Sequence, residues 1–335
     1  MCQYANANTT HMIFFAGWIP CVHPAIIGTL AYYLISTLLY TMKIYTFILS
    51  ACLLLVCSAC HEASHHLLLG GSGWDKIAIV NKNTKEIEWE HPLEKGWECN
   101  SVAVTPDRNI LFSYSKGAKL ITRDHEEIWN ISAPEGCEMQ TARVLSNGNY
   151  LLAWCGNPAT IMEVNAKGEI LSKTDFDTRI EQPHAQFRQV NKNKRGNYLV
   201  PLFATSEIRE ISPSGQLLKS VKVDGNPFSV AALDNGNYLV ACGDAHCFIE
   251  LNFETGDIVR KMNANDIEGA QLFFVAQLLP KRDGGLYICN WQGHDGEAAK
   301  GHYPQLIEIN GAGKMVWDLN DNATFGMISS ICPID

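Results

Sequence analysis

Histidine, arginine and carboxylate side chains that could do acid–base or anion-binding work are grouped in a few short segments. In Gln182-Pro183-His184-Ala185-Gln186-Phe187-Arg188 an imidazole precedes a guanidinium by one helical turn. That is the pairing of a general base with an anion clamp. Glu98 and Glu138 are candidates for a paired acid and base, and Glu138 joins His184 and Arg188 as a catalytic candidate. A second group is Asp244-Ala245-His246, and a third is the irregular stretch from Trp291 to Tyr303, which holds His294 and His302. Aromatic rings beside amides and carboxylates suit sugars, because indole faces stack on C–H groups while polar groups take the hydroxyls. Trp154 and Trp291 are the candidates for that role. Imidazoles at 184, 246, 294 and 302 are of the type that ligates transition metals. No close-spaced His-Glu-x-x-His motif accompanies them, and no Walker loop, dinucleotide fingerprint or Ser-His-Asp spacing occurs. Neither a metal nor a cofactor is expected.

The elements that would position these residues are repeats. Leu233-Asp234-Asn235-Gly236-Asn237-Tyr238-Leu239-Val240 reads as a strand end, a tight turn and a second strand. Close copies begin at Leu145 and Lys194, and looser ones at Asp107 and Asp283. Asn-Gly between apolar runs suggests a type I′ hairpin with φ > 0 at both central residues. Strand-only units recurring about every 40–50 residues indicate a propeller. Five full units have inner strands starting near Asn100, Thr141, Phe187, Ser229 and Val275. The sixth is split, with three strands from the N-terminal side (66–70, 76–80 and 86–90) and one from the C-terminal side (328–332). The expectation is an all-β protein: a single six-bladed β-propeller of four-stranded blades over residues 66–335, closed where the C-terminal strand joins the N-terminal blade. The Glu that recurs in strand three (Glu163, Glu210, Glu250, Glu308) reads as structural, since it repeats at one register in four blades.

Aligning the repeats sorts residues by face. Glu98, Glu138, His184, Asn226 and Gln271 share one position before the inner strand, and Asn100, Gln140, Gln186, Phe228 and Phe274 share the next but one. Arg143, Gln189, Gln277 and Ser330 align farther along. One channel mouth is therefore expected to carry a polar ring above Arg143 and Arg188, rimmed by loops with Trp154, Asp244, His246, Trp291 and His294. The ligand-binding candidates are Glu98, Asn100, Gln140, Arg143, Trp154, Gln186, Asp244, His246, Trp291 and His294. The Asn-Gly turns fall on the opposite face.

A net charge of −9 on 335 residues argues against a nucleic-acid surface. With 47% hydrophobic and 18% charged residues the chain has ample core. Met42-Lys43 followed by the apolar run 44–56 has the layout of a signal peptide. It ends in Leu55-Val56-Cys57-Ser58-Ala59-Cys60, which resembles a bacterial lipobox although Cys57 stands where Leu is commonest. The expected organisation is residues 1–41 as an upstream over-extension or membrane segment, 42–59 as signal peptide, 60–65 as a short linker with lipidated Cys60, then the propeller. The protein would be a monomer in the cell envelope, periplasmic or at the cell surface, with the membrane as a partner through its lipid. Seven of the twelve cysteines lie in the propeller, where Cys242 and Cys247 flank a hairpin tip across which they could pair.

The stretches 249–259 and 307–317, with Trp89, Trp129 and Trp317 at the matching fourth-strand place, resemble the repeats of PQQ-like and arylsulfotransferase-like β-propellers. The combination with a lipobox is similar to secreted lipoproteins of gut Bacteroidetes. The resemblance implies the blade and not the chemistry, and quinone binding is not carried over. Two functions follow from the residues. The first is an envelope-anchored binding module presenting a polar, aromatic-rimmed mouth to a glycan or protein. The second is a lyase or sulfotransferase-like transferase using His184 and Arg188 on that face. Convergence of His184, Arg188 and one of Arg143, His246 or His294 on one pocket would favour the enzyme.

Overall fold

The computed structural model describes residues 33–41, 43, 65–294 and 301–334. The chain divides into two compact units, Met1–Glu62 and Ala63–Asp335. In the first, residues 33–41 are helical, and no helix among the described residues is long and apolar enough to cross a membrane. The apolar run 44–59 and Cys60 lie outside the described residues.

The second unit is six four-stranded antiparallel sheets in a ring, a six-bladed β-propeller. Closure occurs as expected: strand Met327–Ile334 pairs with His66–Ser72, so one blade is built from both ends of the domain. The inner strands of the blades are largely buried on both faces, while fourth strands such as Ile258–Met262 face solvent, and alternation assigns each buried face to a different neighbour. Leu67 and Leu69 pack toward the preceding blade, with Phe274, Tyr287 and Leu306. Leu68, between them, packs toward the following blade, with Ile110 and Phe112. The core is thus a set of layers between blades and not one central mass.

Repetition in the sequence now has a physical reason. The Asn-Gly turns are not type I′. In Leu145–Asn149 the amide of Gly148 donates to Leu145 O and that of Leu145 to Asn149 O, and only Gly148 has positive φ, at 83°. This is the three-residue hairpin, a type I turn followed by a left-handed glycine, which needs only one residue at φ > 0. Gly196 and Gly236 do the same at 86° and 88°. The flanking asparagines reach the strand-three glutamate. Asn235 and Asn237 donate to Glu250, and Asn193 and Asn197 to the buried Glu210, which also pairs with Arg195. In these two blades the glutamate and the turn asparagines are one hydrogen-bonded unit, whereas Glu163 is held by Lys192 and Tyr198 and Glu308 by Lys82 and Lys281.

A second device repeats between blades. The indole N–H of Trp89 donates to Arg123 O at 2.7 Å, that of Trp129 to Ala166 O at 3.2 Å and that of Trp317 to Lys82 O at 2.8 Å. Each reaches from a fourth strand to the strand three–four turn of the next blade, and Trp317 does so across the closure. Lys219 performs the same reach to Glu254 O.

Inner strands are joined by hydroxyls. Ser101 donates to Ala142 O, Thr141 to Arg188 O and Ser229 to Ala276 O. Across the channel Gln189 donates to Asn100 O and Gln277 Oε1, and Gln277 donates to Ile331 O. These amides form a floor, so the channel mouth is a cleft and not a pore. The third unit departs from its expected form. Its inner strand is only Asn191–Lys192, preceded by a 3-10 turn at Pro183–Ala185. That turn, imposed by Pro183, lifts His184 out of the strand to the mouth.

Candidate functional site

The mouth of the channel holds a hydrogen-bonded arc that crosses three blades. Asn100 Nδ2 donates to Glu98 Oε2 at 3.4 Å and to Gln140 Oε1 at 2.8 Å, and Gln140 Nε2 donates to Glu138 Oε2 at 3.1 Å. The same Glu138 oxygen lies 2.8 Å from His184 Nδ1, and His184 Nε2 lies 3.1 Å from Arg188 Nη2. A guanidinium can only donate, so Nε2 of His184 accepts and Nδ1 carries the proton toward Glu138. The bond from His184, with help from Arg188, holds the Glu138 carboxyl below its ordinary range. Arg188 is buried; it also donates to the carbonyls of His184 and Phe187, and its guanidinium lies 5.2 Å from the centroid of Phe203. His184 is thereby held at both nitrogens. It fixes Arg188 and is not an open base.

A second imidazole stands in the same cleft. His294 Nδ1 lies 2.7 Å from Asp244 Oδ1, which orients the ring with Nε2 as the acceptor. No hydrogen bond to that Nε2 occurs among the described residues. The ring meets Trp291 edge-on at 4.9 Å, Phe274 at 5.1 Å and Phe203 at 6.4 Å. Phe203 therefore touches both the guanidinium and the imidazole. Gly293 leaves the space that Trp291 occupies, since a Cβ there would come within 2.0 Å of the indole. The indole N–H in turn donates to Ser72 Oγ at 2.7 Å. The deep end of the cleft has a volume of about 50 Å³ and is bordered by Glu98, His184, Arg188, Phe203, Trp291 and His294, among others. That is room for a carboxylate or a few waters and not for a ring.

The expected site residues separate into three groups. Glu98, Asn100, His184, Arg188, Trp291 and His294 border the cleft; Glu138, Gln140 and Asp244 stand behind it as their partners. Four others are engaged elsewhere. Gln186 is fully buried, with its amide bonded to both backbone groups of Gly156 and to Ile180 O. Trp154 packs in the core with Met139 and Leu152. His246 bonds Phe273 O through Nδ1. Arg143 lies farther down the inner strand Glu138–Val144, near Cys332. The two histidines differ in their bonding: His184, the catalytic candidate, is held at both nitrogens, whereas His294 is held only at Nδ1 among the described residues. Phe203 and Ser72 were not anticipated. Phe228 and Phe274 stand at the repeat position filled elsewhere by amides, and that substitution was their only sequence signal. No group of three His, Cys, Asp or Glu converges as a metal site among the described residues. Cys242 and Cys247 are free thiols whose side chains hydrogen-bond, and with burial this raises the pKa of Cys242.

The chain matches the model of the Mal s 1 allergenic protein-like family over residues 73–314. A crystal structure of a protein of unknown function from Bacteroides caccae is 73% identical, covering 81% of this chain and 99% of its own, with a TM-score of 0.79. A streptogramin B lyase structure is 11% identical over 80% of this chain and 87% of its own, with a TM-score of 0.54. An inactive histidine-to-alanine variant of virginiamycin B lyase from Staphylococcus aureus, with quinupristin, is 11% identical over 78% and 87%, with a TM-score of 0.52. At that identity the two lyases share the fold alone. No curated protein matches the chain.

Proposed function

We propose, from the premise that the chain belongs to the Mal s 1 allergenic protein-like family and closes a six-bladed ring, that its channel mouth is the site of a lyase-type acid–base enzyme. The observation that carries this reading is the Asp244–His294 pair, whose Nε2 has no hydrogen bond among the described residues, in one cleft with Arg188. Arg188, held by His184, which Glu138 orients, binds a substrate carboxylate. Neutralising that group acidifies the C–H beside it, and His294 Nε2 takes the proton. The electron pair forms a carbon–carbon double bond as the oxygen substituent on the next carbon leaves. The histidinium then returns the proton to the departing oxygen. Atoms and charge balance, and no oxidant or reductant is required.

Binding of glucuronate to the purified protein by calorimetry tests the clamp. Arg188→Met is expected to weaken it at least tenfold, because the lost bond is charge-assisted and sheltered from water. Equal affinity in the variant, with an unchanged melting temperature, contradicts the assignment.

The proposal keeps the lipid anchor at Cys60, supported by the apolar run 44–56 and the small residues Ser58-Ala59 before it. Expressed in a bacterium with a lipoprotein pathway, the protein should partition into detergent and start at an acylated Cys60. A detergent-independent chain starting elsewhere contradicts the anchor.

A further inference from the structure

Beside the cleft lies a broad groove of about 950 Å³ that shares Ser72, Glu98 and Trp291 with it. Three indoles border that groove: Trp97 and Trp291 are partly exposed, and Trp74 is buried at 9% exposure, each fixed by a contact of its own. Trp291 is tied to Ser72 and backed by Gly293. Trp97 stacks on Tyr114 with ring centroids 4.1 Å apart. Trp74 meets Phe325 edge-on at 5.9 Å, and a Cβ on Gly326 would come within 2.3 Å of Trp74 Cβ. Between them the groove presents the carboxylates of Asp75 and Glu98 and the amine of Lys95. Rigid indoles interleaved with carboxylates are suited to sugar rings, whose C–H faces stack while their hydroxyls donate. The volume accommodates several rings, whereas the deep end admits only a carboxylate-sized group.

We infer that the groove is a subsite for an oligosaccharide chain, and that the substrate is a hexuronate-containing glycan whose uronic acid carboxylate enters the cleft. This rests on the lyase reading for its chemistry and extends it to a polymer. In a hexuronide the acidic C–H is at C5 and the leaving oxygen is the glycosidic oxygen on C4. Elimination breaks the C5–H and C4–O bonds, forms the C4–C5 double bond, and passes the proton through His294 to the leaving sugar.

The test is calorimetry with four probes: glucuronate, tetragalacturonate, a tetrasaccharide alternating glucuronate with N-acetylglucosamine, and cellotetraose. At least one acidic tetrasaccharide should bind ten times or more tighter than glucuronate, and tighter than cellotetraose. Trp97→Ala should collapse the ratio of tetrasaccharide to glucuronate affinity. Lys95→Glu, at an exposed groove position, should weaken the acidic chain without risk to the core. Acidic chains no tighter than glucuronate, or cellotetraose equal to them, overturn the groove. A ratio that survives both variants overturns it also. The two readings separate cleanly: loss of glucuronate binding in Arg188→Met with no chain preference leaves the cleft and removes the groove. Chain preference with glucuronate binding indifferent to Arg188 does the reverse.

Discussion

Replacing His294 by Ala is expected to lower kcat on a hexuronide by about 10²–10⁴-fold, the usual contribution of a positioned acid–base group. Substrate binding should be kept, since the carboxylate is held by Arg188 across the cleft. Asp244→Asn should lower kcat in the same direction, because the amide no longer fixes the imidazole with Nε2 as acceptor. The pair lies at 2.7 Å and is half-exposed, so neither substitution opens the core. His184→Ala should behave differently. It removes the brace on Arg188 and the partner of Glu138, so the loss should fall on KM as well as kcat. The contrast between an effect on kcat alone at 294 and on both constants at 184 is what a merely structural role for His294 would not give.

Ending the chain before Met327 is expected to abolish cooperative folding. The lost strand supplies the inner position of the closing blade, pairing from His66↔Ile334 to Ser72↔Met327. It also carries Ile328 and Ile331, fully or almost fully buried, each worth about 2–5 kcal/mol against Ala. Its Ser330 hydroxyl bonds Gln277, and the Val102 amide bonds Ser330 Oγ. Against a typical total stability of about 5–15 kcal/mol, losing these together exceeds what the domain can spare. The edge exposed along His66–Ser72 would invite aggregation. Soluble protein with a single sharp thermal transition would show that closure is not needed.

Much of this architecture is legible in the sequence because the ring needs the same parts in each blade. Five units follow from the recurring tight turns and strand patterns, and the split closing blade follows from the strands left over at the two ends of the domain. Turn type did not follow, since Asn-Gly serves two hairpin geometries and only the backbone decides between them. The site was legible as a face and less so as a set of roles. Aligned positions place Glu98, Asn100, Gln140 and His184 at one mouth, where they form the arc. Which imidazole remains open depends on distances between blades, and nothing in the spacing of 184, 244, 246 and 294 encodes those. Trp154 and Gln186 were candidates by type. Burial in one case and bonding to Gly156 in the other engage them instead. Phe203 lies in a segment with no repeat signature, so its place between Arg188 and His294 had no sequence signal.

The central claim is that His294 removes a proton from a substrate whose carboxylate Arg188 holds. It is tested most directly by incubating the protein with the hexuronate tetrasaccharides and following the ultraviolet absorbance of a double bond conjugated to the carboxylate. The account predicts that absorbance rises with the native protein and is lost to background with His294→Ala, while calorimetry still detects binding in that variant. Native protein that binds the tetrasaccharide and never forms the alkene, or a His294→Ala variant that forms it at the native rate, would contradict the claim.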